Sequence, residues 1–466
     1  MLRSRLATAA ALLALALAPA AHAAQSRALV FMSDYNTGSL SSADVQPRAM
    51  HCDIASVSTD AGLRYYGDRL YVLNRFGSDN VQEIDPATGA TLKEFSVGAG
   101  SNPHDIAFAS DTKAYVTRYE TTKLWVVNPV SGAKTGEIDL GPLADSDGIP
   151  EMDRMATVGP YLFVSLNRVD RNNGYAPDDS GLVAVVDMRA DTLVDCDPAH
   201  AGVQGIHLQL TNPFTAFQWD PASGRLLIGC FGAYNVPDGG VERIDPVALA
   251  ADGVVITGAA LGGDVDGIVW GDAAKSWAIV ADPAGNTKLV SWSATSGTVL
   301  STLWAPGGYD LTDAELNDRG ELWVCQHSLS TPRVRVFSAA TGLQTGSDLV
   351  CLLPPVTLAF DSPSGLGLGV PRSPVPLAFA PPAPSPAARA TRLAFTLAAP
   401  AWLRVEIFDA AGRRVRTLAD GAWPAGRGSM EWDLADDSGA RVAPGVYPVR
   451  ARAGGAEWKG RVIVTR

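Results

Sequence analysis

Basic charge is in short supply. The 466-residue sequence has 37 Lys and Arg against 49 Asp and Glu, a formal net charge of -12. Nucleic-acid binders draw much of their affinity from a basic face set against phosphates, so this composition excludes nucleic acid as a partner. Histidine is scarce, with 6 residues in all. Cysteine is scarcer: Cys52, Cys196, Cys230, Cys325 and Cys351 include no C-x-x-C pair, which excludes the familiar zinc spacings. Their odd count leaves at least one thiol free whatever disulfides form, and Cys230 and Cys325, inside apolar runs, read as small buried hydrophobes. No Gly-x-Ser-x-Gly elbow, His-Glu-x-x-His pair, phosphate loop or EF-hand loop occurs. After the first two dozen residues no apolar run approaches the ~20 residues of a membrane-spanning helix.

What is abundant is apolar and turn-forming. Hydrophobic residues make up 47%, and 46 Gly and 31 Pro suit many short strands better than long helices. The N-terminus has its own pattern: Arg3 and Arg5, an Ala/Leu run from Leu6 to Leu17, and Ala21-His22-Ala23. This predicts a signal peptide over 1–24 and an exported chain, in the periplasm, on the cell surface or outside the cell.

The middle of the chain repeats. Arg69-Leu-Tyr-Val-Leu-Asn74, Asn80-Val-Gln-Glu-Ile84 and Leu92-Lys-Glu-Phe-Ser96 are followed by Lys113-Ala-Tyr-Val-Thr-Arg118, Lys123-Leu-Trp-Val-Val-Asn128 and Thr135-Gly-Glu-Ile-Asp139. Asp85-Pro-Ala-Thr-Gly89 and Asn128-Pro-Val-Ser-Gly132 read as hairpin turns with Gly at a positive-φ position. The second run of each unit recurs near Leu29, Leu70, Ala114, Tyr161, Leu226, Trp277 and Leu322, at spacings of about 41, 44, 47, 65, 51 and 45 residues. A four-stranded propeller blade takes ~40–45 residues. The first unit lacks a first strand, and Leu353-Pro-Pro-Val-Thr-Leu-Ala-Phe360 reads as that strand returning from the other end of the ring. The expectation is an all-β chain: a seven-bladed β-propeller over 25–360, a connector over 361–390, and a small β-sandwich over 391–466. The plainer alternatives are an open β-sandwich or two separate β-domains. Residues 361–386 hold eight prolines, a stiff connector. Beyond it, Leu393–Leu397, Leu403–Asp409, Gly428–Asp433, Gly445–Arg450 and Arg461–Val464 alternate as sandwich strands do.

Ala114-Tyr-Val-Thr117, Leu124-Trp-Val-Val-Asn-Pro129 and Asn102-Pro-His-Asp-Ile-Ala-Phe108 resemble the YVTN-type repeats of secreted bacterial seven-bladed propellers and YncE-like proteins. The tail, through Val405-Glu-Ile-Phe-Asp409, Trp432-Asp433 and Ala443-Pro-Gly-Val-Tyr447, resembles the Ig-like domain of flagellar hook-capping proteins. That second resemblance implies that the small β-sandwich over 391–466 is an Ig-like β-sandwich, with a role in sorting or surface attachment.

A propeller places its working residues where inner strands and the loops of one end meet the channel. The lead-ins to the inner strands offer Asp105, Asp153, Asp266 and Asp310, with His104 and Tyr309 beside them. The loops after the second strands offer Asn74 and Arg75, Arg118 and Tyr119, Asn167 and Arg168, Phe231 and Tyr234, and Gln326 and His327. Carboxylates around one axis attract cations, and Arg beside an aromatic grips carboxylate, phosphate or sugar. The plainer account is that each Asp caps a turn and each Arg bridges to the next blade. The ligand-binding set read from the sequence is Arg75, His104, Asp105, Arg118, Tyr119, Arg168, Asp266, Tyr309 and His327. No catalytic residue or metal ligand is assigned. Calcium is considered for Asp170, Asn172, Asp178 and Asp179 in the loop 168–181, but their spacing fits no defined calcium loop, and a solvated loop is the simpler reading. The expected function is an exported, monomeric, non-enzymatic propeller that binds a protein or small-molecule ligand with no membrane span. The alternative is a propeller enzyme, a lactonase-like hydrolase or quinoprotein-like oxidoreductase, with His104, Asp105 and Arg118 as its candidate residues.

Overall fold

Runs buried at nearly every position form the second strand of each propeller sheet. Arg27–Ser33, Arg69–Asn74, Lys113–Arg118, Tyr161–Leu166, Arg225–Cys230, Ser276–Ala281 and Glu321–Gln326 are covered on both faces. A β-strand turns successive side chains to opposite faces, so burial without alternation means a neighbour on both sides. The seven predicted positions from Leu29 to Leu322 all lie on these strands. The computed structural model describes residues 25–178, 180–361, 377–379, 382, 384–397, 401–409, 412–423, 426–453 and 456–465. The segment read as a signal peptide, Asp179 and most of the proline-rich connector lie outside the described residues.

Each second strand sits in an antiparallel sheet, and there are seven such sheets between Arg27 and Phe360. From the inner strand outward, blade 2 is Ala61–Tyr66, Arg69–Asn74, Asn80–Ile84 and Thr91–Ser96. Blade 3 is Pro103–Ser110, Lys113–Arg118, Lys123–Asn128 and Ala133–Asp139. Blade 4 begins with Met152–Val158, blade 5 with Gln218–Asp220, blade 6 with Asp264–Val269 and blade 7 with Leu311–Leu316. The 65-residue spacing has two sources in blade 4. One is the insertion between Tyr161–Leu166 and Leu182–Asp187. The other is an outer edge split in two, Thr192–Leu193 and Ile206–His207 both pairing with Leu182–Asp187.

Blade 1 closes the ring. Its inner strand is Pro355–Phe360, paired antiparallel to Arg27–Ser33 with Val30 opposite Leu358 and Leu29 opposite Ala359. The amide of Ser33 donates to Pro354 O at 2.8 Å, and the amide of Asp361 donates to Arg27 O at 3.0 Å. The Asp361 carboxylate accepts from the amides of Ser26 at 2.8 Å and Arg27 at 2.9 Å. The ladder slips beside Pro355, which has no N–H to give. Apolar clusters fill the space between blades: Val30 and Met32 of blade 1 meet Trp323, Val334 and Val336 of blade 7, with Leu358 and Phe360 of the closing strand.

Local sequence explains the turns. Gly89 and Gly132 adopt φ of 72° and 73°, and their amides close the hairpins onto Asp85 O and Asn128 O, each at 2.8 Å. The Asp85 and Asn128 side chains accept from the amides two residues on, at 2.8 and 2.9 Å. At the opposite end, Asn102 and Asn212 sit at positive φ just before Pro103 and Pro213, a conformation Asn tolerates well. These asparagines turn the chain from one blade into the next.

The tail forms two sheets. One holds Leu377–Phe379, Thr391–Leu397 and Gly426–Trp432; the other holds Arg414–Trp423, Ala401–Phe408, Gly445–Ala453 and Ala456–Val464. Between them Trp432, Phe395, Leu403, Val405 and Ile407 make a core. The Trp432 indole donates to Ala435 O at 2.8 Å, so its polar atom is satisfied inside that core. Among the described residues no helix is long and apolar enough to cross a membrane.

Candidate functional site

The inner strands carry polar side chains that sew neighbouring blades together. Asp105, on the inner strand of blade 3, accepts from Arg64 of blade 2 through both oxygens. It also accepts from the amide of Met155 in blade 4 at 2.8 Å and from the amide of Ile106 at 2.8 Å. Asp313 of blade 7 repeats the device, accepting from the Leu358 amide in blade 1 at 2.9 Å, the Thr357 hydroxyl at 2.6 Å and the Ala314 amide at 2.9 Å. Gln218 of blade 5 does the same for the Trp270 amide of blade 6 at 3.2 Å. Asp105 thus stands at the inner strand as read from sequence, with its lone pairs engaged by three blades.

Beside it lies a second group with open valences. His104 Nδ1 is 2.8 Å from Asp153 Oδ1 of blade 4, and its ring stacks on Tyr119 at 4.3 Å between centroids. Burial and the nearby Arg75 hold the imidazole below its ordinary pKa, against the pull of Asp153. Burial opposes ionisation of Asp153, but Arg154 and His104 win and hold its carboxyl below the usual range. Arg154 follows Asp153 on the inner strand, and the carboxylates acting on it are Asp153, Asp105, Asp313 and Asp60. Those groups belong to different blades, which places the guanidinium toward the ring axis. Arg75 sits in the loop after the second strand of blade 2, where its amide donates to Asp60 O at 2.9 Å and its guanidinium stands 3.7 Å from the Asp60 carboxylate. Gly62 leaves room for it: a Cβ there would lie 3.2 Å from both Arg75 Nη2 and His104 O.

The remaining predicted residues divide. Asp266 and Tyr309 come together, with the tyrosine hydroxyl donating to Asp266 Oδ1 at 2.8 Å. Asp266 Oδ2 is buried without a partner, and burial pushes the carboxyl up to about 7. His327 Nε2 is 3.0 Å from Ser33 O, and its ring lies 5.2 Å from that of Tyr35, at the blade 7–blade 1 seam. Arg118 bridges its own blade to the segment that follows the outer strand of blade 2. Its Nε donates to Val97 O at 2.8 Å and its guanidinium covers Trp125 at 4.3 Å. Arg168 pairs with Asp178 and donates to Ser180 O at 3.2 Å, fastening the ends of the 168–181 loop. In that loop Asp170 accepts from the amide of Asn172 at 2.8 Å. Among the described residues no group of three or more His, Cys, Asp or Glu side chains is arranged to hold a metal ion.

Sequence reasoning missed Arg64, Arg154, Asp313 and Glu315. Asp313 had a signal, since Asp313-Ala314 occupies the place of Asp105-Ile106 at the inner strand. Glu315 lies on the same strand, and burial followed by the Asp313 charge pushes it up to about 8. Arg154 had only the oddity of a cation within an otherwise buried strand. A further feature emerges from exposure. The exposed aromatic side chains among the described residues are Tyr35, Phe76, Tyr175, Phe214, Tyr234 and Tyr309. All six lie in loops after second strands or in lead-ins to inner strands. In an antiparallel meander those two loop classes share one end of the ring. The hairpins of the other end expose the aliphatics Val130, Val247 and Leu343.

Among solved structures, the chain is similar to Kuenenia stuttgartiensis hydrazine synthase, with 14% identity, coverage of 65% of this chain and 90% of that one, and a TM-score of 0.47. It is similar to PorZ, a surface component of the type-IX secretion system of Porphyromonas gingivalis, at 14% identity over 95% of this chain and 58% of that one, with a TM-score of 0.41. A third likeness is to AztD of Citrobacter koseri, at 11% identity over 73% of this chain and 99% of that one, with a TM-score of 0.44. No curated protein matches the chain. The family model that matches is that of the FlgD Ig-like domain, over residues 385–457, and it covers the tail alone.

Proposed function

We propose that this chain is an exported, non-enzymatic propeller of the YVTN/YncE type that binds a ligand through one end of the ring, and that its Ig-like tail serves surface presentation or sorting. One observation carries the reading: the exposed aromatic side chains are gathered at the end where Arg75, His104, Tyr309 and His327 stand. Aromatic side chains left in water on one face, over convergent polar groups, are the composition of a recognition surface. The other end gives the ligand only tight hairpins. The sequence pattern of residues 1–24 supports export, and the match of residues 385–457 supports the reading of the tail.

The test is native mass spectrometry of the purified full-length protein with a metabolite extract and secreted proteins of its own cells. The species retained should be lost in a Phe76→Ser/Tyr234→Ser/Tyr309→Ser variant and kept in a Val130→Ser/Val247→Ser/Leu343→Ser variant. The reverse pattern refutes the reading.

A second reading, a lactonase-like hydrolase or quinoprotein-like oxidoreductase, is favoured by the His104–Asp153 pair. A carboxylate on one ring nitrogen orients an imidazole as a base. No side chain among the described residues hydrogen-bonds to His104 Nε2, so a nucleophilic partner is missing from this arrangement. Turnover that disappears in His104→Gln while binding persists would favour the enzyme.

A further inference from the structure

Around Arg154 the carboxylates of Asp105 and Asp313 are well supplied with donors, while two guanidinium groups nearby leave donors of their own unused. Asp105 takes Arg64 twice and two backbone amides. Asp313 takes a hydroxyl and two amides, and Asp153 takes His104. Arg75 and Arg154 differ. A guanidinium offers five N–H donors, yet neither side chain makes a hydrogen bond within the described residues. Arg75 has only its 3.7 Å ion pair with Asp60. Arg154 Nε approaches Asp153 Oδ1 at 3.3 Å, a charge contact off the hydrogen-bond direction, and the Nε atoms of both arginines are buried and unpartnered. The two are linked through a short chain of contacts. Gly62 lies against Arg75 and the His104 carbonyl, and Asp153 Oδ1 touches both His104 and Arg154.

We propose that Arg75 and Arg154 bind an oxyanion, the carboxylate or phosphate group of a small molecule, with the Asp153-held ring of His104 as the wall of the site. A cation would find Asp105 and Asp313 already holding four and three hydrogen bonds. An oxyanion matches the N–H donors that both guanidinium forks leave over. The inference rests on the reading that this end of the ring is the binding end, and gives that ligand a chemical class.

Calorimetry of the full-length protein tests it, with succinate, inorganic phosphate and the uncharged succinamide as probes. Succinate or phosphate should bind at least about tenfold more tightly than succinamide, and Arg75→Gln or Arg154→Gln should weaken that binding by about tenfold or more. Arg461→Gln, exposed on the tail, should leave it unchanged. Preference for succinate marks a carboxylate ligand, and preference for phosphate a phosphorylated one. Thermal melts report whether each variant folds. If Arg154→Gln does not, Arg75→Gln and Gly62→Ala carry the test, since the added methyl crowds Arg75 Nη2. No binding of either anion in the millimolar range, or undiminished binding in the variants, overturns the inference. If the aromatic-loop variant still loses the natural ligand while the anions fail, the binding end stands and only its chemistry is wrong. If both experiments fail, the two readings fall together.

Discussion

Asp105 and Asp266 are both carboxylates on inner strands, and their surroundings give them different tasks. Four donors from three blades occupy Asp105, so it holds the ring together. Asp266 has one bond, from Tyr309, and a second oxygen buried without a partner. Its pKa lies near 7 rather than 3.8, with burial the largest cause. Between those values the folded chain holds a proton the unfolded chain has released, so stability falls as pH rises through the window and the full penalty is present above about 7. Asp266→Asn removes that charge. Relative to the parent protein, its melting temperature should rise at pH 8 and change little at pH 4.5; a larger gain at the lower pH contradicts the assignment. The sequence placed both residues at the channel but gave no way to separate them. Which amide of the next blade meets Asp105 is decided by how blades pack, and that is absent from any single repeat.

At the scale of the strand, legibility followed burial. The second strands were readable because continuous apolar runs bounded by Gly, Asn and Asp have one simple explanation in a turn-rich chain. The inner strand of blade 5 was less so. Asn212–Phe217 parallels the inner strand of blade 3 in sequence, yet the ladder proper is Gln218–Asp220, and Pro213 contributes only a bridge to Cys230. Thr215 and Phe214 instead both direct their amides to Gly229 O, a local irregularity that alternation does not report. The closing strand carries the clearest energetic prediction. Leu358 is 3% exposed, packed with Val30, Trp323 and Phe360. Leu358→Ala should cost the propeller transition about 2–5 kcal/mol in denaturant unfolding. Val350→Ala, at a position 72% exposed, should cost under about 0.5 kcal/mol. Equal effects would mean the closing strand is not packed as described.

For the whole molecule, chain direction assigns labour to the two ends of the ring. Tight hairpins such as Asp85–Gly89 and Asn128–Gly132 close one end with few residues to spare for recognition. The other end receives the lead-ins, the long loops of blades 4 and 5, and the exposed aromatics. The repeat foretold the architecture, because a ring of similar sheets imprints its period on the sequence. The binding end was only half legible: His104, Arg75 and Tyr309 were within reach of a repeat argument, while Arg154 comes into view only once four blades face one axis. Both the aromatic end and the paired arginines depend on the ring being shut by strands from opposite ends of the propeller. Hydrogen exchange followed by mass spectrometry measures that closure directly. Peptides covering 27–33 and 355–360 should exchange together, at the slow rate of the blade cores, since each holds the other's amides. Fast exchange over 355–360 with slow exchange over 27–33 would show an open ring and contradict the account.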